Sequence, residues 1–176
     1  MKFAKFAWTV LTALLCTSMA QAQDDEAHKE TEAARNTPAL AAAMKEASVT
    51  LAVGLRTGET QGTPISGKFE LEEGKLQLSV YTMKDGKFYE VIVDHKTGKI
   101  AESKAISGGE DLAAAQHQAE AIAKGKRSLH EAVTAAERAN PGYKAIQVEA
   151  EMEDGTAQAG ISLLKGTQAK HMERKL

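Results

Sequence analysis

The chain has 176 residues, a formal net charge of −2 and only 5% aromatic residues. This length suits one domain or two very small ones, and the scarcity of aromatic residues predicts a modest core of Val, Ile, Leu and Ala. The acidic balance argues against a dedicated nucleic-acid binder, which would be expected to be basic.

The first 22 residues have the three parts of a secretory signal. Lys2 and Lys5 precede an apolar run over residues 6–15, and the segment ends in the small residues of Ala20-Gln21-Ala22. The run is shorter than the roughly 20 apolar residues of a membrane-spanning helix. We therefore expect cleavage near Ala22, no stable membrane span afterwards, and a periplasmic or secreted protein.

The predicted mature chain has no cysteine, because Cys16 lies in the segment that is removed. Leu14 and Leu15 are bulky where a lipoprotein signal has small residues, which disfavours a lipid anchor at Cys16. Neither a disulfide nor a thiolate nucleophile is then expected. Residues 23–36 are acidic and Ala-rich, and we expect them to be a disordered leader.

Residues 37–106 are predicted to form one helix followed by three or four antiparallel strands. Thr37 and Pro38 are typical of a helix start, and apolar residues recur at spacings of three and four up to Gly58. A Gly-rich loop is expected over residues 58–67. Beyond it, apolar residues alternate with polar ones, and turn sequences at 72–75, 84–87 and 96–99 separate the predicted strands.

The second part of the chain begins with a linker and an Ala-rich helix over residues 107–127. Ser128 and Glu131 have the spacing of a capping box and predict the start of a further helix, which ends at Asn140-Pro141-Gly142. A strand from Ile146 and a returning strand from Ala157 to Leu164 are expected around a turn at 153–155. Residues 128–176 thus repeat the order helix, strand, turn, strand.

The residues from Tyr89 to Ile100, YEVIVDHKTGKI, resemble the signature strand and turn of PepSY domains. Residues 37–106 are similar to that domain, and residues 128–176 are similar to a degenerate second copy, in which Ile161 to Gly166 stands in place of the turn. The resemblance implies an α+β fold of two tandem units, each a helix packed on a small antiparallel β-sheet. It leaves open whether the two sheets are separate or joined.

Three residues have a structural role in the predicted signature turn. Asp94 can accept backbone amides of the residues that follow it, and Gly98 can adopt a positive φ that ends the strand tightly. Thr97 completes the family pattern between them. The turn therefore indicates how the sheet closes and identifies no reacting atom.

Catalytic and metal-binding patterns are weak in this sequence. The best candidate for a metal site, His117 with Glu110 and Glu120 on one helix, is more typical of a solvated surface. The serines have no nucleophile-elbow context, and no Gly-rich stretch has the setting of a phosphate-binding loop. We therefore expect no enzymatic activity, no cofactor and no metal site.

PepSY domains occur in propeptides of secreted metallopeptidases and in stand-alone extracytoplasmic proteins. The resemblance therefore implies a non-catalytic binding role, such as inhibition or regulation of a cell-envelope peptidase, with an extracytoplasmic protein as the partner and no nucleic acid. A periplasmic carrier of a small ligand or metal ion stays open as the alternative.

Two kinds of surface are candidates for binding a partner. Phe88 and Tyr89 are the candidate binding residues, as apolar anchors beside an edge strand, although burial in the core is the commoner role of strand aromatics. The edge would be the strand from Phe88 to Asp94 or that from Ala157 to Leu164. A sheet face that its helix leaves uncovered is the second candidate surface.

Overall fold

The computed structural model describes residues 38–176, so the predicted signal segment (1–22) and leader (23–36) lie outside the described residues. The described chain forms one seven-stranded antiparallel sheet with four helices, which confirms the α+β class. The helices are α1 (Pro38–Glu46), α2 (Leu51–Gly58), α3 (Gly109–Lys124) and α4 (Leu129–Ala139). The strands are β1 (Thr63–Glu72), β2 (Lys75–Lys84), β3 (Lys87–Val93), β4 (Ile100–Ile106), β5 (Lys144–Glu153), β6 (Thr156–Lys165) and β7 (Gln168–Lys175).

The two halves of the chain share this sheet, whose strand order is β4-β3-β2-β1-β5-β6-β7. They meet where Ser66–Lys68 of β1 pairs with Gln147–Glu149 of β5. The edge strands are therefore β4 and β7. The expectation of an edge at Phe88 to Asp94 or at Ala157 to Leu164 is wrong, because β3 and β6 each pair with a strand on both sides.

The single helix predicted from Pro38 to Gly58 is in fact two helices bent by 69°. In the break, the N–H groups of Ser48 and Val49 donate to the carbonyl of His95 at 2.9 and 3.1 Å, and Thr50 caps α2 through its side chain. These are tertiary and capping interactions, which hydrophobic periodicity does not reveal. No single helix within residues 38–176 is long and apolar enough to cross a membrane, although α1 and α2 together reach that length and composition.

Four elements of the first half, α2 and β1 to β3, recur in the second half as α4 and β5 to β7, with an offset of 81 positions. β1 begins at Thr63 and β5 at Lys144, while α2 ends at Gly58 and α4 at Ala139. The strands β1 and β5 each have an irregularity in their pairing register near their start. In β1 it lies between Pro64 and Ser66, and in β5 it lies 81 positions later. The predicted loop over residues 58–67 is shorter than expected, because β1 already begins at Thr63.

β7 is the counterpart of β3 in this recurrence, and the sequence pattern did not predict a strand at this position. Gln168–Lys175 is almost entirely polar, so it lacks the apolar alternation that indicates a strand. Ile161 to Gly166, which the resemblance set in the place of the Asp94 turn, lies instead in β6 and the turn after it. That placement was wrong because it did not include a further strand.

The helices divide the two faces of the sheet unequally. α2 and α4 pack on one face, where their buried side chains meet those of the central strands; this core contains Leu51, Leu55, Leu129, Val133, Leu78, Val80, Val91, Val148 and Ile161. Ala115 and Ala119 of α3 pack with Ile65 and Phe88 in a second cluster. Val80 and Thr82 on β2 face the core, so the next residue, Met83, points to the opposite face. Phe88 lies opposite Met83 on β3 and shares its face, so the second cluster lies on the face away from α2 and α4. No helix within residues 38–176 covers the remainder of that face.

Candidate functional site

Asp94, Thr97 and Gly98 form the turn between β3 and β4. The Asp94 carboxylate accepts the N–H groups of Thr97 at 2.7 Å and Lys96 at 3.0 Å, and these hydrogen bonds, that from Thr97 first, lower the pKa of Asp94. Gly98 has a φ of 74° and donates its N–H to the Asp94 carbonyl at 2.8 Å. Thr57 of α2 donates its hydroxyl to the Gly98 carbonyl at 3.0 Å. The turn therefore anchors α2 to the sheet.

The structure does not bring Phe88 and Tyr89 together. They are neighbours on β3 and point to opposite faces of the sheet. Phe88 is 8% exposed and lies in the cluster beneath α3, whereas Tyr89 is half-buried and pairs with Thr82 on β2 and Ala105 on β4. These two side chains do not form one anchor beside a strand edge.

A polar surface lies on the same sheet face as α3, in part directly beside that helix. We call it the open sheet face, and its residues come from five strands and point away from α2 and α4: Lys68, Glu70, Gln77, Ser79, Tyr81, Glu90, Gln147, Glu149, Glu151 and Ser162. Apart from Ser79, these side chains are half-buried, because they lie along the sheet. The face therefore spans both halves of the chain across the junction of β1 and β5.

Ser79 is at the centre of a hydrogen-bond network on the open sheet face. Its fully buried hydroxyl lies 3.2 Å from Oε1 of Glu70 and 3.0 Å from Oε1 of Glu90, and it accepts from the amide of Gln77 at 3.0 Å. The Tyr81 hydroxyl is 3.4 Å from the same oxygen of Glu90. A serine hydroxyl has one proton and donates to only one carboxylate at a time. The network therefore has more acceptors than donors.

The charges around Tyr81 make this region negative. Burial raises the pKa of Tyr81 most, and the negative charges of Glu90, Glu70 and Asp111 raise it further. Lys68 is one cation of this group: its Nζ is 2.7 Å from Oε2 of Glu70 and 5.9 Å from the centre of the Tyr81 ring. Lys104 of β4 lies opposite Glu90 on the same face, so two lysines stand against three carboxylates and the excess charge is negative.

The second half of the chain extends this negative surface. Burial raises the pKa of Glu151, and the nearby charges of Glu149 and Glu173 raise it further. A side chain at Gly160 would place its Cβ 2.7 Å from Oε1 of Glu151, so the missing side chain makes room for this carboxylate over β6. The two halves thus contribute carboxylates to the same uncovered face.

A small cleft lies beside the network, between β1, β5 and the first half of α3. Its volume is about 160 Å³, and its polar lining includes Ser66, Tyr81, Asp111, Gln118 and Glu149. Small-molecule pockets usually have roughly 300–1,000 Å³. The cleft is therefore better suited to one side chain of a partner than to a whole organic ligand.

A more open groove of about 700 Å³ lies at the start of α4, near Glu59, Met83 and Arg127. A helix start can bind an anion through its free N–H groups. Here the Ser128 hydroxyl accepts the N–H of Glu131 at 3.3 Å, and the Glu131 carboxylate accepts the N–H of Ser128 at 2.9 Å. The predicted capping box is therefore present, and it occupies two of the donors that an anion would need.

Residues 38–176 do not bring metal-ligating side chains together. No group of three or more His, Cys, Asp or Glu side chains in that range is arranged to hold a metal ion. His117, Glu110 and Glu120 are all exposed on α3. The open sheet face is thus a surface of hydrogen-bond acceptors without a metal-ligand cluster among the described residues.

Comparisons with known protein families, curated protein sequences and solved structures give no match. The resemblance to PepSY domains therefore stays a prediction. Sequence reasoning anticipated an uncovered sheet face but named none of its residues. A signal was present, because the turn predicted at 72–75 places Glu70 opposite Gln77 and Lys68 opposite Ser79, which is the observed register.

Proposed function

We propose that the protein is a non-catalytic binding protein of the cell envelope, made of two tandem PepSY-like units. We further propose that its open sheet face binds a basic segment of another extracytoplasmic protein. The observation that carries the proposal is the shared face itself, to which both halves contribute carboxylates: Glu70 and Glu90 from the first half, and Glu149 and Glu151 from the second. A peptidase is the class of partner that the PepSY resemblance implies.

The tandem arrangement is supported by the recurrence of elements at 81 positions. A helix followed by three antiparallel strands occurs as α2-β1-β2-β3 and again as α4-β5-β6-β7. In the first unit, the signature residues from Tyr89 to Ile100 form the third strand and the turn after it. β4 and α3 follow that turn and connect the two units.

The exposed chemistry of the network favours binding over catalysis. The Ser79 hydroxyl is fully buried beneath its neighbours, so it cannot approach a substrate. The groups that face solvent are carboxylates and amides held by hydrogen bonds along the sheet. Such a surface offers charge-assisted hydrogen bonds to Lys or Arg side chains of a partner.

The alternative is a carrier of a small ligand or metal ion. The cleft of about 160 Å³ gives a small ligand little enclosure, and the groove of about 700 Å³ at the start of α4 is open, with two of its backbone donors occupied by the capping box. We therefore place the protein partner first. A thermal-shift screen with divalent metals and small molecules tests the carrier, because a bound ligand raises the unfolding temperature.

The binding surface is tested by capturing a partner from cell-envelope extract and titrating it calorimetrically. The double variant Glu70→Gln/Glu90→Gln removes two charges from the network with little change in shape. The matched control Glu46→Gln/Glu59→Gln removes the same charge from exposed positions on the helix side of the molecule. We expect a stoichiometry near one and a loss of affinity of about tenfold or more in the first variant only.

Salt should weaken the complex of the parent protein more than that of the Glu70→Gln/Glu90→Gln variant, since ions screen the charge pairs. Equal affinities for the parent and both double variants would contradict the proposed surface. Turnover of the partner at catalytic amounts of the pure protein would contradict the binding function itself.

A further inference from the structure

The edge strand β4 has a sequence that is complementary to itself. It reads Ile-Ala-Glu-Ser-Lys-Ala-Ile from Ile100 to Ile106, so Ser103 is at its centre with an acid on one side and a base on the other. The five central residues, 101–105, are all exposed. One side of β4 pairs with β3, and its other side is the edge of the sheet. Unpaired N–H and C=O groups at such an edge can pair with another strand.

We propose that β4 is the contact between two copies of this chain, which pair antiparallel about a two-fold axis through Ser103. In this register Glu102 lies directly opposite Lys104 of the second copy, and Lys104 lies opposite its Glu102. Residues directly opposite each other in an antiparallel pair point to the same face and interact. The pairing would join two seven-stranded sheets into one continuous sheet and does not depend on the proposed function.

The charges select this register over its neighbours. Pleating requires opposite residues to share a face, so a two-fold register is centred on a residue and not between two residues, and the registers next to Ser103 are centred on Glu102 or on Lys104. Centring on Glu102 places two glutamates opposite each other, and centring on Lys104 places two lysines opposite each other. Like charges directly opposite are unfavourable. The register centred on Ser103 instead pairs unlike charges twice.

The single chain already holds these two charges in position. Nζ of Lys104 is 3.2 Å from Oε2 of Glu102 within the same strand, and both side chains are more than half exposed. In the dimer each would gain a second partner from the other copy. The ladder is regular from Glu102 onward, because the irregularity in the β3–β4 pairing lies before it. Three regular pairs result, the same number that joins β1 to β5.

The opposite edge of the sheet does not have this property. In β7 the register centred on Met172 places Lys170 opposite Arg174 of a second copy, which brings like charges together. Self-pairing of β7 in this central register is therefore disfavoured. The closed two-fold dimer through β4 leaves β7 as the outer edge of each copy.

Charge reversal tests the proposal by sedimentation equilibrium of the purified protein over a concentration series that reaches the millimolar range. We expect the parent to form a dimer, and Glu102→Lys or Lys104→Glu to weaken it by at least about tenfold, since each single change opposes like charges. An equimolar mixture of the two single variants should associate again, and so should the double variant Glu102→Lys/Lys104→Glu. Lys175→Glu on β7 is the matched control and should leave the dimer unchanged.

The double variant and the equimolar mixture together separate pairing from folding. Lys104→Glu places a glutamate opposite Glu90 of β3 within each chain, and the double variant has the same internal contact. The double variant also restores the in-strand pair at positions 102 and 104, whereas in the equimolar mixture of single variants that pair stays like-charged in every chain, so association of the mixture can only come from contacts between chains. A parent that stays monomeric throughout the series, single variants that dimerise as tightly as the parent, or a double variant that stays dissociated would each overturn the proposal.

Discussion

Gly98→Ala should test how the signature turn holds α2 on the sheet. Gly98 has a φ of 74°, in the region that L-residues rarely adopt. A Cβ at this position would lie 3.3 Å from Cγ1 of Val49 and 3.7 Å from Cγ1 of Val53. The substitution therefore adds backbone strain and also presses on the segment that joins α1 to α2.

The two costs can be given magnitudes. The left-handed conformation costs about 1–2 kcal/mol for a residue with a Cβ. The contact with Val49 is tighter than ordinary van der Waals distance and should add a smaller cost, at the low end of the roughly 1–3 kcal/mol of overpacking. We expect a total loss of about 2 kcal/mol, and a loss nearer 3 kcal/mol for the β-branched Gly98→Val.

Gly74→Ala is the matched control, because Gly74 has a φ of 77° and a Cβ there would meet nothing within 4 Å. It should lose only the strain of about 1–2 kcal/mol. Urea unfolding followed by circular dichroism measures both losses, with unchanged m-values as the condition for comparing them. Val49→Ala should cost less in the Gly98→Ala background than in the parent, because it relieves the contact. Equal losses for Gly98→Ala and Gly74→Ala would refute the packing of the turn against Val49.

Four further outcomes follow from the structure and the sequence. Val91→Asp should lower the free energy of unfolding by about 4 kcal/mol or more, because it buries a charge at a fully buried site; a midpoint in urea close to that of the parent would contradict this. The pKa of Asp94 is lower in the folded state than its unfolded value of 3.8. The ionised carboxylate therefore stabilises the fold fully above pH 3.8, and this stabilisation is lost as pH falls through the folded-state pKa. The difference in free energy of unfolding between the parent and Asp94→Ala should therefore shrink in acid. The pKa of Glu151 is raised in the folded state, so the charge of its carboxylate disfavours folding at neutral pH. Glu151→Gln should therefore raise the urea midpoint at pH 7 but not at a pH below 4.5. A lowered midpoint at pH 7 would argue against a negative potential around Glu151. Mass spectrometry of the exported protein should show a chain that begins at Gln23, and an intact Met1 on that protein would contradict the predicted signal.

Local patterns predicted much of the fold. The hairpin turns at 72–75, 84–87 and 153–155 and the capping box at Ser128 lie where the sequence placed them, because each depends on residues close together in the chain. The capping residues bond only to their own turn, and hairpin pairing follows from the turn. The α+β class followed from these elements.

Features that depend on distant residues could not be predicted in this way. The break between α1 and α2 is held by the carbonyl of His95, about fifty positions away, while the apolar stripe continues through it. The pairing of Ser66–Lys68 with Gln147–Glu149 leaves no trace in local periodicity. β7 is polar because it is an edge strand whose side chains are largely exposed. Each of these features is determined by tertiary contacts.

The open sheet face was only partly predictable. The turn at 72–75 was enough to place Glu70 and Ser79 on one face, so half of the network could have been derived from the hairpin alone. The contribution of Glu149 and Glu151 could not, because it requires the junction of β1 with β5. The position at which α3 packs determines which part of the face stays uncovered. The short alanine side chains of α3 give little indication of that position.

A stoichiometric titration tests the central claim most directly. The activity or fluorescence of the captured partner is followed as the parent protein is added, and then as Glu70→Gln/Glu90→Gln is added. Binding through the open sheet face predicts saturation near an equimolar ratio for the parent and a response shifted to about tenfold higher concentration for the variant. A response that is complete at catalytic amounts of the parent, or that is identical for the variant, would contradict a non-catalytic binding function at this face.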